Sequence, residues 1–295
     1  MSRRLQIMTK ASTSGWVLMG RRWMLSGAIL MAGMLGSTNA ISGVIFSDDF
    51  ETGDLSHSVG GAKWTDSVRT GVSNSVAKSG SYSLAFKYPG VPDGEDSFSE
   101  QRYYLGGNYP ELWIKYDLYI PANYRHRTQS GSANNKAFAY AWSGTYQDLT
   151  GPLLGFNFWP DGTGESRGSQ WFRSPLLPSG RHIWPDDSRW IDPRVIKLTD
   201  RGKWMQVMIH FKYATSSNDN GVVELWITPQ GGERKLMYSE RHGDFYVPGQ
   251  PGFEAGYLLG WANSGFDEDT TLYIDNIVFS TDPIGVNPPA APLAQ

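Results

Sequence analysis

The 295-residue chain contains no cysteine. It therefore has no disulfide framework, no thiolate metal site and no cysteine nucleophile. Charge is sparse at 19% of residues, and basic charge is sparser still where it would serve nucleic acid. Five of the 26 basic residues, Arg3, Arg4, Lys10, Arg21 and Arg22, fall within residues 1–40, which hold no acid. The other 255 residues set 21 basic groups against 29 acidic ones, a net charge of −8. Such a body lacks the basic footprint of general nucleic-acid binding. The chain also lacks His-Glu-x-x-His, Gly-x-Ser-x-Gly, a phosphate loop and a dinucleotide fingerprint, which removes the chemistries those motifs carry. What it does have is aromatic side chains, 14% of the total, and 34 glycines. A chain so aromatic is not intrinsically disordered.

Long apolar runs are also missing. The longest, residues 23–35, follows Arg21 and Arg22 and ends at Gly36-Ser37-Thr38-Asn39-Ala40. A basic region, an apolar region and small residues, in that order, make a secretory signal cleaved after Ala40. The run is shorter than the roughly 20 residues of a bilayer crossing. The basic region is long, so Met19 is an alternative start. Residues 1–40 are thus expected to be a leader, 41–281 one domain, and 282–295 a Pro- and Ala-rich disordered tail. The mature protein is expected to be secreted or periplasmic, with no membrane partner once the leader is removed.

No segment of twelve residues keeps a helical period. Short runs rich in Val, Ile, Tyr, Phe and Trp recur instead between Gly, Pro, Asn and Ser clusters: 45–50, 82–88, 99–105, 112–120, 136–142, 153–159, 204–213, 222–228, 235–238, 257–261 and 272–279. Eleven such strands predict an all-β, two-sheet antiparallel sandwich, since one open sheet would leave large apolar faces wet. Asn218-Asp219-Asn220-Gly221 reads as a turn between two antiparallel strands.

Alternation assigns faces. Met205, Val207, Ile209 and Phe211 point to the core, which turns Gln206, Met208, His210 and Lys212 outward. Val223, Leu225 and Ile227 likewise turn Glu224 and Trp226 outward. Ala137, Ala139 and Ala141 oppose Lys136, Phe138, Tyr140 and Trp142. Leu154, Phe156 and Phe158 oppose Asn157 and Trp159. Glu100, Arg102 and Tyr104 share a face. Taken together, Arg102, Tyr104, Lys136, Tyr140, Trp142, Asn157, Trp159, Gln206, His210, Glu224 and Trp226 form one polar and aromatic surface. Indoles stack on sugar rings, and amides, Arg and acids bind hydroxyls and carboxylates. The same pattern fits a half-buried face covered by loops, and both readings stand.

Two connections add to it. Arg125, His126, Arg127 and Lys136 lie between residues 121 and 138 without an acid. On a negative body that reversal fits an anionic ligand, or an ordinary solvated loop. Residues 160–203 show no clear strand yet carry Trp171, Trp184, Trp190, His182, Arg167, Arg173, Arg181, Arg189 and Arg194. Structureless loops of that length are uncommon. The stretch reads as a wall or lid over the aromatic face, or as a packed excursion with short hidden strands.

Several ordered motifs carry a resemblance. They are Phe46-Ser47-Asp48-Asp49-Phe50-Glu51-Thr52-Gly53-Asp54-Leu55, Ser79-Gly80-Ser81-Tyr82-Ser83-Leu84, Gly202-Lys203-Trp204, Gly221-Val222-Val223-Glu224-Leu225-Trp226 and Tyr273-Ile274-Asp275-Asn276-Ile277-Val278-Phe279. Over about residues 44–280 the chain resembles the concanavalin-like jelly rolls, and within them the jelly-roll polysaccharide lyases. The opening and closing motifs recur in carbohydrate-binding modules, so they specify fold better than activity. The Glu-x-Asp-x-x-Glu of retaining jelly-roll glycosidases is absent.

The resemblance implies a polysaccharide or oligosaccharide partner and, for a lyase, β-elimination on an acidic glycan. That reaction needs a cation or amide on the uronate carboxylate, a base and an acid. Arg102, Asn157 and Gln206 are candidates for the first, His210 and Tyr140 for proton transfer, and Lys136 lies on the same face. Gln206 and His210 share a face as Gln and His do in some lyases of this kind. On this reading His210→Ala abolishes activity. Tyr104, Trp142, Trp159, Glu224, Trp226, Arg125 and Arg127 would bind substrate. No complete catalytic motif of the family matches residue by residue, and a non-catalytic carbohydrate-binding module is the alternative. In such sandwiches the first and last strands pair. Asp49 and Glu51 could then join Asp275, whose strand is apolar on both faces, around a structural calcium. No organic cofactor is expected.

Overall fold

The computed structural model describes residues 43–125, 136–146, 150–215, 220–250, 252–263 and 265–285. The expected leader, and all but the first four residues of the expected tail, lie outside these. Seventeen strands occur among the described residues, with one three-residue 3-10 turn and no α-helix. In chain order they are β1 (Val44–Asp48), β2 (Ser58–Val59), β3 (Ala62–Val68), β4 (Thr70–Ser73), β5 (Ser83–Tyr88) and β6 (Ser97–Tyr109). Next come β7 (Glu111–Ile120), β8 (Lys136–Trp142), β9 (Leu153–Pro160), β10 (Ser166–Ser174), β11 (Leu177–Ile183) and β12 (Arg194–Ile196). The last five are β13 (Lys203–Lys212), β14 (Gly221–Pro229), β15 (Lys235–Gly243), β16 (Phe253–Ala262) and β17 (Thr270–Ser280).

They form two antiparallel sheets. The first runs β15-β14-β13-β7-β17-β5-β4, with β1 also on β17. The second runs β11-β10-β9-β8-β16-β6-β3-β2, with β12 also on β10. All eleven expected strands are present, the first pairs with the last, and β13 pairs with β14; Asn218 and Asp219 of the expected turn lie outside the described residues.

The inner faces interlock through large side chains. Phe156 of β9 stacks on Phe211 of β13 at 6.1 Å and 15°. Tyr103 of β6 meets Phe279 of β17 at 4.5 Å. Tyr116 crosses the core to donate to the Phe138 carbonyl at 2.7 Å, so its buried hydroxyl is satisfied. Each fully buried Leu, Ile or Phe on these faces contributes roughly 1.5–3 kcal/mol.

The stretch 160–203 is neither lid nor loop. It contains β10, β11 and β12, which widen the second sheet beyond β9. No apolar alternation announced β10 because its inward positions include Gly168 and Gln170. Trp190 fills the space over Gly168, where a Cβ would lie 2.1 Å from the indole.

Candidate functional site on the outer face of the second sheet

A second apolar cluster lies apart from the main core. Ala137, Tyr140, Trp142, Leu153 and Tyr257 are buried in it, with Tyr146, Trp171 and Ala255 against them. These residues come from β8, β9, β10 and β16, four neighbouring strands, and from the turn after β8. They face away from the first sheet. A register shift between Ala137 and Ala139 decides which side chains of β8 take part. Phe138 turns into the main core beside Ala139, while Ala137 joins Tyr140 and Trp142 outside. Strict alternation had put Phe138 outside and Ala137 inside; one extra residue in the strand reverses the assignment.

This floor carries a cavity of about 330 Å³. Tyr140 lies over Gly155, where any Cβ would stand 1.6 Å from the ring. Its hydroxyl donates to Asn157 Oδ1 at 2.5 Å. That bond fixes the amide and leaves Nδ2 as its free end. Asn157 Nδ2 is buried without a hydrogen-bond partner among the described residues, and so is Arg173 Nε. Both residues line the cavity. Arg173 is held by its other end, with Nη2 donating to the Tyr146 carbonyl at 3.1 Å and the guanidinium 5.5 Å from the Tyr146 ring. A buried donor left unpaired costs about 1–3 kcal/mol. Two of them in one cavity form a place for an acceptor-rich or anionic group. No carboxylate stands among the lining side chains.

Burial raises the Tyr140 and Tyr257 phenols well above the ordinary tyrosine value, so both stay protonated. The two rings meet edge to face at 4.9 Å. His182 stands on the cavity wall, 4.1 Å from Trp171 and 4.6 Å from Trp184 between ring centres. Desolvation lowers it to about 4, so the imidazole is neutral at neutral pH. Ser169 links it to Trp159: the indole N–H donates to Ser169 Oγ at 2.8 Å, which lies 3.3 Å from His182 Nδ1.

The expected residues divide. Tyr140, Asn157 and Trp159 line the cavity. Trp142 is buried beneath it, 5.0 Å from Tyr146. Arg102 shares this outer face, but its guanidinium is engaged by Glu100 at 2.6 Å and Asp66 at 3.9 Å. Tyr104, half-buried on β6, does not line the cavity. Arg125 is exposed after β7. Arg127 and the side chain of Lys136 lie outside the described residues.

Gln206, His210, Glu224 and Trp226 belong to the first sheet, on the opposite side of the sandwich. The expectation of one common surface is therefore corrected. Alternation tells inside from outside, but not which of two outsides. There His210 stacks on Trp113 at 3.9 Å and 10°. It is held between Glu224 at 3.2 Å and Glu111 at 2.8 Å. Glu224 is fully buried and also accepts from Ser239 at 3.0 Å, with Arg241 at 2.6 Å. The His210 hydrogen bond holds Glu111 below the usual carboxylate range.

The three carboxylates considered for calcium do not converge. Asp49 and Glu51 follow β1 instead of lying in it. Asp275 is buried, but it accepts from the backbone N–H groups of Lys78, Ser79 and Asn276 at 2.8, 3.2 and 2.7 Å. Glu51 accepts from Ser81 and Tyr82. These are loop-fixing contacts. Among the described residues, no group of three or more His, Cys, Asp or Glu could hold a metal ion.

Tyr146, Trp171, Arg173, His182, Tyr257 and Trp261 also line the cavity. Trp171, Arg173 and His182 had a signal, the concentration of Trp, Arg and His in the apparently structureless stretch. Tyr257 and Trp261 occupied an expected strand without one.

No protein-family model and no curated protein sequence matches the chain. Solved structures do. A doubly substituted Aly36B alginate lyase in complex with an alginate trisaccharide is similar with a TM-score of 0.54 and 13% identity, over 81% of this chain and 98% of that one. The alginate lyase vAL-1 from Chlorella virus gives 0.53 and 11%, over 80% and 99%. The marine PL-14 alginate lyase from Aplysia kurodai gives 0.50 and 12%, over 74% and 90%. The chain has a two-sheet antiparallel jelly-roll fold and resembles these alginate lyases in structure, as its ordered motifs led us to expect.

Proposed function

We propose that the protein is a polysaccharide lyase that cleaves an acidic glycan by β-elimination in the cavity above β8, β9 and β10. The observation that carries this reading is the pair of buried, unpartnered donors, Asn157 Nδ2 and Arg173 Nε. A uronate carboxylate seated there accepts two charge-assisted hydrogen bonds, one of them from a cationic donor. That pairing draws charge off the carboxylate and acidifies the adjacent carbon. The neutral imidazole of His182 takes the proton from that carbon. The electron pair forms the C4–C5 double bond as the C4–oxygen bond breaks. The leaving oxygen takes its proton from the Tyr140 phenol, which Asn157 Oδ1 holds in place. The likeness to alginate lyases supports the reading at the level of fold. Export, with a leader cleaved after Ala40, fits a polysaccharide substrate and is part of the proposal.

The experiment is a panel of uronate polysaccharides, followed by the ultraviolet absorbance of unsaturated products. Wild type should release them. Tyr140→Phe should slow release by about 10²–10⁴-fold, the usual worth of a positioned proton donor. Binding across the panel without any unsaturated product would instead establish a non-catalytic carbohydrate-binding module.

A further inference from the structure

The central cavity does not end at His182. That side chain also walls a second cavity of about 300 Å³, lined by His182, Ile183, Trp184, Asp186 and Asp187. The two compartments have opposite electrostatics. The central one has a single cation, Arg173, and no carboxylate. The second has two carboxylates and no cation among its lining side chains. Trp184 packs one side of its indole on His182 at 4.6 Å and 29°, yet remains 42% exposed. An aromatic plane held from behind and open in front is a platform for a sugar ring.

The two carboxylates there differ. Asp187 is paired through both oxygens with Arg189 at 2.7 Å, a guanidinium that also serves Glu240 at 2.7 Å. Asp186 has no hydrogen-bond or ion-pair partner among the described residues. The other nearby cation, Arg181, lies over the Phe172 ring at 5.9 Å and also draws on Asp187, so the unpaired charge of the compartment is that of Asp186. A second uronate would bring its carboxylate to an already negative compartment, on a body of net charge −8. Sugar hydroxyls, by contrast, donate well to carboxylates.

We infer that the Trp184 compartment is a subsite for a neutral sugar, so the substrate is a heteropolymer in which a neutral residue adjoins the uronate. The inference rests on the proposed uronate subsite at Asn157 and Arg173. It separates this protein's substrate from a homopolymer of uronic acid.

The test is affinity electrophoresis through gels containing either of two probes. One is a polysaccharide of alternating glucuronic acid and neutral hexose; the other is a homopolymer of mannuronic acid. Product release is assayed in parallel. Wild type should be retained at least tenfold more tightly by the alternating polymer. Trp184→Ala should weaken that retention about tenfold, as for the loss of one stacking platform. Asp186→Lys should shift preference toward the homopolymer. Both positions are exposed, so neither change threatens the core. Equal or tighter retention by the homopolymer, or no effect of Trp184→Ala, overturns the inference. Selective retention without unsaturated product keeps it and sinks the lyase reading. Retention by neither polymer overturns both.

Discussion

The two outer faces of this sandwich look alike in sequence and differ in chemistry. Each carries indoles beside a histidine and hydrogen-bonding side chains. On the first sheet the polar groups satisfy one another. His210 lies between two carboxylates, and Glu224 takes hydrogen bonds from three side chains. The buried donors left without a partner on that sheet, among the described side chains, are the Trp113 indole N–H and, on its inner face, the Tyr238 hydroxyl. On the second sheet an amide and a guanidinium that line an open cavity keep buried, unpaired donors. A closed network rigidifies a sheet; an incomplete one costs stability that a ligand can return. Polar and aromatic composition therefore does not identify a site. The state of the hydrogen bonds does.

The sharpest way to break this comparison is to remove one group from each face. Asn157→Ala deletes a donor of the proposed uronate site and also the acceptor of the buried Tyr140 hydroxyl. It should lower kcat/KM by about 10²–10³-fold in a protein that still folds, at a cost of about 1–3 kcal/mol for the unpaired hydroxyl. Glu224→Ala should cost stability and spare activity. It breaks a buried charged network and should cost about 2–3 kcal/mol of stability, read by urea denaturation. Activity at low temperature, where the variant remains folded, should stay within about twofold of wild type. If Glu224→Ala abolished catalysis in a folded protein, the first sheet would be the site.

A smaller effect sharpens the assignment of His182. Its folded value is lowered by desolvation to about 4, against about 6.5 in an unfolded chain. A lowered base binds its proton less readily when folded. Its contribution to stability is therefore complete above about pH 6.5 and lost as pH falls toward 4. If His182 accepts the substrate proton, kcat/KM should fall on the acid side with an apparent pKa near 4. An acid limb near 6.5 would point to an exposed histidine instead.

The smallest expected effect is none. Because Asp275 and Glu51 already accept backbone N–H groups, chelation should leave the melting temperature unchanged. A clear drop in chelator, with calcium found in the purified protein, would restore a structural ion to that end of the sandwich.

Much of this architecture is local and could be read from the chain. Inward runs such as Val207-x-Ile209-x-Phe211 and Leu154-x-Phe156-x-Phe158 mark strands, because a period of two is imposed by the backbone itself. Tyr140, Asn157 and Trp159 were found that way. Other features depend on partners distant in sequence. The extra residue at Phe138 shows only against its neighbours in the sheet, and it changes the face of that side chain. Gly168 and Gln170 fill core positions without an apolar signature because Trp190, twenty-odd residues on, supplies the bulk. Above all, the two sheets place His210 and Asn157 on opposite surfaces. By itself the sequence determined that the chain is an all-β sandwich and, away from the extra residue in β8, which side chains leave its core. Only the tertiary structure decided which outward residues meet. Strand order and the sheet each strand joins are set by contacts between distant segments, and the alternation within any one strand is the same on either side.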